Sequence, residues 1–122
     1  GTGRVRYGSA GSAAMVLLRP EGWKSLSQPT PSLGVSPESV YREEQCGLEP
    51  GEALLIFTAG VRDARDQHGK ALGEVGLAEP LHARLNLPAK ELVAIARDRL
   101  EAHAPTGKRQ DRTLLIIKRA NP

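Results

Sequence analysis

The chain has 122 residues, of which 39% are apolar and 25% charged, and its formal net charge is +3. This length suits one folding unit with a modest core, and the composition excludes a disordered chain. Aromatic residues make up only 3% of the sequence, too few to provide stacking surfaces for bases, so nucleic acid is not an expected partner.

The cysteine content and the hydrophobic pattern are both typical of a cytoplasmic protein. Cys46 is the one cysteine, so an internal disulfide is impossible and no zinc-ligand cluster can be built around it. No run approaches the roughly 20 apolar residues of a membrane-spanning helix, and the N-terminus lacks the pattern of a signal peptide. We therefore expect a cytoplasmic protein that has no membrane partner.

Short β-prone runs come first along the chain. Strands are predicted at Arg4–Tyr7, Met15–Arg19 and Trp23–Ser27, and a proline- and serine-rich loop at about 28–39. Val40–Cys46 is predicted to be extended. The continuous apolar run Ala53–Phe57 is typical of a strand that is buried on both faces.

Helical patterns dominate the later part of the chain. A helix is predicted from Glu74 to Arg84, broken near Pro80. Pro88 suits the first turn of an amphipathic helix. The apolar face of that helix consists of Leu92, Val93, Ile95, Ala96 and Leu100. Thr113–Ile117 is predicted to be a final buried strand, and the whole pattern indicates an α+β fold with helices covering a sheet.

Two segments carry a resemblance to a known family. Leu48–Arg65 is similar to L-x-P-G-D-x-L-L-L-Y-T-D-G-V-T-E-A-R, and Gln110–Ile117 is similar to D-D-x-T-L-L-V-L. Both patterns resemble the bacterial SpoIIE/RsbU phosphatases, within the PPM (2C-type) metal-dependent protein serine/threonine phosphatases. Weaker similarity at Arg6–Ser12 (R-Y-x-N-A-G-H) and Ser32–Val35 (P-L-G-L) extends it over most of the chain.

This resemblance implies an architecture. Residues 1–122 are expected to form the later half of a PPM-phosphatase-like β-sandwich with flanking antiparallel helices, because the family's earlier G-D-x-x-D and G-D-V-x-G-H-G segments have no counterpart here. A half domain would expose sheet edges. The expected partner is therefore an upstream half-domain or a second copy of the chain.

The family's chemistry depends on carboxylates that hold two manganese or magnesium ions. Ala59 stands at the aspartate of T-D-G and Gln110 at the first aspartate of D-D-x-T, while Asp111 remains as a candidate ligand. Asp111 would need a local bend to replace Gln110, because adjacent residues on a strand point to opposite faces. Ser12 replaces the histidine of A-G-H. We therefore expect no cofactor for this chain alone, with manganese or magnesium only if a longer protein keeps the site.

The remaining acids, histidines and arginines offer few other candidate sites. Asp63, Asp66 and Glu74 are interpreted as solvated turn acids, and His68, His82 and His103 as surface residues without metal-ligand spacing. Arginine can hold phosphate without a metal. The arginines that flank the altered positions are therefore a candidate anion site: Arg62, Arg65, Arg109 and Arg112.

Three functions follow from these observations. The first is a non-catalytic regulatory domain of bacterial signalling, a pseudophosphatase that binds a protein partner such as a phosphoprotein. The second is an active manganese- or magnesium-dependent phosphatase completed by an upstream half. The third is a binding module unrelated to phosphatases, which would make the motif matches coincidental.

Overall fold

In the computed structural model the described residues are 4–7, 14–26, 44–104 and 112–120, with backbone alone for 4–7 and 44–46. The described strands are β1 (Arg4–Tyr7), β2 (Ala14–Arg19), β3 (Gly22–Ser25), β4 (Glu44–Gly47), β5 (Ala53–Phe57) and β6 (Leu114–Lys118). The described helices are α1 (Ala59–Arg62), α2 (Gly73–His82) and α3 (Ala89–His103). The predicted strands and the α+β class are confirmed, whereas the predicted loop at 28–39 lies outside the described residues.

The strands form two antiparallel sheets. The larger sheet has the order β3-β2-β5-β6, and β1 pairs with β4 in a smaller one. Leu17 lies opposite Leu54 between β2 and β5, and Leu54 lies opposite Ile117 between β5 and β6. The long apolar run is therefore a central strand, as its composition predicts.

Alternate side chains of the central strands enter two apolar clusters, because successive residues of a strand point to opposite faces. One cluster joins the sheet to α2 and α3 and includes Val16, Leu55, Phe57, Leu77 and Leu92. The other lies on the opposite face and includes Met15, Leu17, Leu48 and Leu54. Both faces of β5 are thus buried.

Three details of the predicted helices are wrong. Helix α2 continues through Pro80, although proline has no N–H to donate to the Gly76 carbonyl one turn earlier. Leu77 and Leu81 on either side are fully buried, so packing outweighs the lost bond. In α3, Val93 is 38% exposed, and Pro88 is the N-cap residue and not part of the first turn.

The final strand is also less buried than its composition suggests. Ile116 is buried, whereas Leu115 is 51% and Ile117 39% exposed. Strand β6 is the last strand of its sheet, and the helices cover only the face to which Ile116 points. The prediction of a fully buried strand is therefore wrong for one face.

None of the helices in the described ranges combines the length and the apolar character that a membrane crossing requires.

Candidate functional site

The two segments with altered motif positions meet where β5 ends and β6 begins. The N–H of Thr58 donates to the carbonyl of Thr113 at 3.1 Å. In return, the N–H of Thr113 donates to Thr58 Oγ1, also at 3.1 Å. Residue 59 is therefore next to the start of β6. Gln110 and Asp111 precede that start by a few residues and lie outside the described part of the chain, as does Ser12.

Ala59 is the first residue of α1 and is half-buried. Its carbonyl accepts a hydrogen bond from the N–H of Asp63 at 2.8 Å, which closes the single turn of this helix. Its side chain is a methyl group, which offers no lone pair to a cation. The end of β5 therefore presents an apolar surface where the resemblance places an anionic ligand.

Asp63 is the nearest acid along the chain, and an arginine neutralises it. Arg62 Nε donates to Asp63 Oδ1 at 2.9 Å and Arg62 Nη2 donates to Asp63 Oδ2 at 3.2 Å. These bonds to Arg62 hold the pKa of the Asp63 carboxyl below its usual range, and they raise the pKa of Arg62. Because both carboxylate oxygens are engaged, Asp63 is a poor substitute for a missing metal ligand.

Asp66 organises the next turn. Its Oδ1 accepts hydrogen bonds from the N–H groups of His68 at 2.8 Å and Lys70 at 2.9 Å. The bond from Lys70, followed by that from His68, lowers the pKa of Asp66. Arg65 Nη1 closes the same turn by donating to the Gly69 carbonyl at 2.6 Å.

Two further acids are bound elsewhere. Ser25 Oγ donates to Glu74 Oε1 at 2.5 Å, which links β3 to α2. Glu52 lies before β5, at the opposite end from Ala59, and is 6% exposed. Its Oε1 accepts from the Glu49 N–H at 3.0 Å, and its Oε2 lies 3.5 Å from Arg19 Nε. Glu52 therefore stabilises a turn. Sequence reasoning missed this role, although Glu52 lies between a P-G turn and a buried strand, at the acidic position of the L-x-P-G-D pattern.

Two of the three described histidines lie within hydrogen-bond distance of backbone carbonyls, whereas His68 Nε2 lies 3.3 Å from Gln67 Nε2. His82 Nε2 lies 2.8 Å from the Arg19 carbonyl, and His103 Nε2 lies 2.8 Å from the Lys70 carbonyl. Among the described residues, no group of three or more histidine, cysteine or acidic side chains is arranged to hold a metal ion. At the end of β5, the methyl group of Ala59 supplies no ligand for the divalent cations that the resemblance implies.

The four arginines proposed from the sequence have different environments. Arg62 is paired with Asp63, and Arg65 is bonded to the Gly69 carbonyl. Arg112 comes directly before Thr113, and its Nε is buried with no hydrogen-bond partner in the described ranges. Arg109 lies outside the described residues. Arg112 therefore has a buried guanidinium nitrogen, Nε, that is not satisfied by any described residue.

A separate cleft of about 560 Å³ lies between the 66–71 turn, α2 and α3. The apolar residues that line the cleft include Leu72, Val75 and Pro80. Its charged lining residues are Asp66, Lys70, Glu79 and Arg99. Because two acids face two bases, this cleft has no net preference for an anion or a cation.

Comparison with protein families gives one match over nearly the whole chain. The model described as Stage II sporulation protein E (SpoIIE) matches residues 1–120. Protein IcfG from Synechocystis sp. (strain ATCC 27184 / PCC 6803 / Kazusa) is 34% identical over 103 residues, which are 83% of this chain and 16% of IcfG.

Solved structures share the fold at lower identity. The SiaA-PP2C domain of Pseudomonas aeruginosa superposes with a TM-score of 0.74 at 21% identity, over 93% of this chain and 46% of that one. The RsbU and RsbW domains of Rv1364c from Mycobacterium tuberculosis superpose with a TM-score of 0.75 at 22% sequence identity, over 99% of this chain and 34% of that chain. The SpoIIE phosphatase domain from Bacillus subtilis, presoaked with manganese, superposes with a TM-score of 0.72 at 12% sequence identity, over 98% of this chain and 52% of that chain. The chain thus spans between a third and about half of these solved chains.

Proposed function

Because this chain belongs to the SpoIIE family and has the fold of PP2C-type phosphatase domains, we propose that it is a regulatory domain of bacterial signalling that binds a protein partner without hydrolysing phosphate esters. Membership in the family confirms the resemblance of the sequence motifs. It also excludes the third function considered above, a binding module unrelated to phosphatases.

The observation that carries this proposal is the methyl group of Ala59 at the end of β5. Two divalent ions about 3.5–4 Å apart repel each other and are held together by anionic oxygen ligands. An alanine and an amide at positions 59 and 110 remove two ligands and two neutralising charges. Without them, a metal-activated water is not available to attack a phosphate ester.

The contacts of the neighbouring acids support the same conclusion. Asp63 is bound by Arg62, Asp66 by the amides of its own turn and Glu74 by Ser25. To replace the lost ligands, each acid would have to give up a partner that it already has. Asp111 is left as the candidate ligand within this chain, and one carboxylate from this chain is too few for a two-metal site.

Phosphoprotein recognition through arginine is the second part of the proposal. Guanidinium groups match the geometry of phosphate oxygens and need no metal. Arg112 is the best-supported contributor, because its buried Nε lacks a hydrogen-bond partner among the described residues, with Arg65 and Arg109 as further cations. Arg62 contributes least, because Asp63 already balances its charge.

Peptide hydrolysis tests the absence of catalysis. The chain is incubated with phosphoserine and phosphothreonine peptides, with and without manganese, and released phosphate is measured. The expected rate equals that of buffer alone in both cases. Manganese-dependent release by the wild-type chain, lost when manganese is chelated, would overturn the proposal.

Inorganic phosphate titrations followed by NMR test the anion site. We expect saturable shifts at Thr113 that disappear in Arg112→Ala. Arg97→Ala is the matched control, because Arg97 lies on the exposed face of α3 with 70% of its side chain accessible. Shifts that are absent, or that persist in Arg112→Ala, would contradict the role of Arg112.

One observation favours the alternative of an active phosphatase: the chain spans only 46% of the SiaA-PP2C domain and 52% of the SpoIIE phosphatase domain. An additional segment with the family's acids could supply ligands for manganese or magnesium. The same hydrolysis assay on a longer protein that contains this chain separates the two functions, because the alternative requires manganese-dependent turnover there.

A further inference from the structure

His103 joins two elements that are far apart in the chain. It is the last residue of α3, and its Nε2 lies 2.8 Å from the Lys70 carbonyl oxygen. A carbonyl oxygen can only accept a hydrogen bond, so Nε2 carries the hydrogen and donates it. The Lys70 carbonyl also accepts the Asp66 N–H at 3.0 Å. One carbonyl group therefore closes the turn from within and ties it to the end of α3.

Residues 64–72, which we call the arginine turn, are held by bonds among themselves. The Leu72 N–H donates to the Ala64 carbonyl at 2.8 Å, and the Gly69 N–H donates to the Asp66 carbonyl at 3.0 Å. Gly69 has a φ of 78°, in the left-handed region that glycine adopts without strain. Because these bonds link its residues, a tie at one position of the arginine turn constrains the others.

The direction of the Arg65 guanidinium depends on the arginine turn. Arg65 Nη1 donates to the Gly69 carbonyl at 2.6 Å, and Gly69 directly precedes Lys70 in the chain. This bond uses one of the five N–H donors of a guanidinium group. The place of the Arg65 charge is thus set by the residue next to the one that His103 holds.

The bond from His103 also complements the bonds between Thr58 and Thr113. Residues 58–70 lead from the end of β5 to the Lys70 carbonyl. Their first residue is bonded to the start of β6 and their last to the end of α3. Two of the candidate anion-site arginines lie within this stretch. The stretch is therefore held at both ends by residues that come much later in the chain.

The charge of His103 acts on the same turn. The bond from the Lys70 N–H contributes most to lowering the pKa of Asp66, and the positive charge of His103 lowers that pKa further. The other charged residues that line the cleft with His103 are Glu79 and Arg99. His103 thus acts on the arginine turn in two ways, through a bond to a carbonyl and through a charge near a carboxylate.

We propose that His103 is a positioning residue of the candidate anion site: its bond to the Lys70 carbonyl holds the arginine turn against α3 and thereby fixes the place of Arg65. The use of Arg65 in anion binding rests on the function proposed above. The tie between α3 and the turn does not, so the two can be tested separately.

Amide hydrogen exchange tests the tie. In His103→Ala the arginine turn loses its bond to α3, and exchange of the Asp66 N–H should become about three- to tenfold faster, as expected for the loss of one hydrogen bond. His103→Gln keeps an Nε2 donor and should exchange like the wild type. His82→Ala is the matched control, because His82 Nε2 lies 2.8 Å from the Arg19 carbonyl, at the end of α2 far from the turn, and should leave this exchange unchanged.

NMR titration of the Asp66 carboxyl carbon separates the charge from the bond. His103→Ala and His103→Gln both remove a positive charge, so the titration midpoint should rise in both, whereas His82→Ala should leave it unchanged. Rescue of exchange by glutamine without rescue of the midpoint is the pattern that the proposal requires. A midpoint equal to the wild-type value in both variants would overturn the placement of His103 beside the turn.

Titration with inorganic phosphate connects the tie to the anion site. We expect phosphate to bind His103→Ala about threefold or more weakly than the wild type, with affinity restored in His103→Gln. Unchanged amide exchange in the alanine variant would overturn the tie. Faster exchange with unchanged phosphate affinity would overturn the role in positioning Arg65. If the wild-type chain binds no phosphate, the proposed anion site fails, and exchange and the Asp66 midpoint still decide whether the tie exists.

Discussion

Thr58 and Thr113 bond to each other twice, once between backbone groups and once through the Thr58 hydroxyl. Thr58 is also the N-cap residue of α1, but its side chain makes no capping bond there. The hydroxyl is used instead to fix the start of β6 against the end of β5. This pair of bonds holds together the two segments in which the resemblance places the family's metal ligands.

Removing that hydroxyl should loosen the junction. Thr58→Val keeps the shape of the side chain but leaves the Thr113 N–H without its acceptor, which should lower the free energy of unfolding by about 0.5–1.5 kcal/mol. Urea unfolding measures the loss, and amide exchange at Thr113 should become faster. Thr58→Ser retains the hydroxyl and should stay near wild type; equal losses for both substitutions would argue against the bond as the cause.

Glu52 should matter more than an acid in a turn usually does. Its carboxylate is buried, accepts the Glu49 N–H and lies beside Arg19. Glu52→Ala would leave these groups without their partner and should cost about 1–3 kcal/mol in chemical denaturation. Glu52→Gln keeps an acceptor for the Glu49 N–H and should cost less. If the alanine variant were as stable as wild type, the turn would not depend on this side chain.

Asp66 should make the 66–70 turn sensitive to acid. Hydrogen bonds from Lys70 and His68 lower its pKa, so its contribution is fully present above the unfolded value of about 3.9 and is lost as pH falls through the lower folded value. NMR titration of the Asp66 carboxyl carbon should give a midpoint below about 3.9. Asp66→Asn should remove this pH dependence at the Lys70 amide, and a midpoint at or above the unfolded value would contradict the assignment.

Carboxylates placed at positions 59 and 110 should raise the affinity for manganese. In Ala59→Asp/Gln110→Asp, two anionic ligands return beside Asp111, and manganese affinity should rise at least about tenfold, equivalent to about 1.4 kcal/mol. Isothermal titration with manganese measures the change. Ala59→Asn/Gln110→Asn is the matched control, because amides supply oxygen without charge, and it should show no such gain. Similar affinities for the two double variants would mean that charge at these positions is not the missing element.

The sequence was sufficient to predict the central strand and the fold class. Ala53–Phe57 is a continuous apolar run, and a run of that length is buried on both faces. The final strand has similar composition, but Leu115 and Ile117 are exposed, because burial depends on which elements lie beside a strand. Composition alone contains no such information.

The contacts of individual polar residues were harder to anticipate. The pairing of Glu52 with Arg19 and of Glu74 with Ser25 joins residues far apart in the chain, and no local pattern specifies such a contact. At Pro80 a local pattern was misleading. Proline usually ends a helix, but α2 continues through Pro80 because Leu77 and Leu81 are buried on either side. The interpretation of Ala59 as a replaced metal ligand rests on the motif around it and stays a prediction.

Manganese binding to the wild-type chain tests the central claim most directly. In an electron paramagnetic resonance titration, free manganese gives a sharp six-line spectrum that is lost when the ion is coordinated by protein. We predict that the free-ion signal rises in proportion to added manganese, as in buffer alone. Saturable loss of that signal at two ions per chain, reversed by Asp111→Asn, would contradict the account.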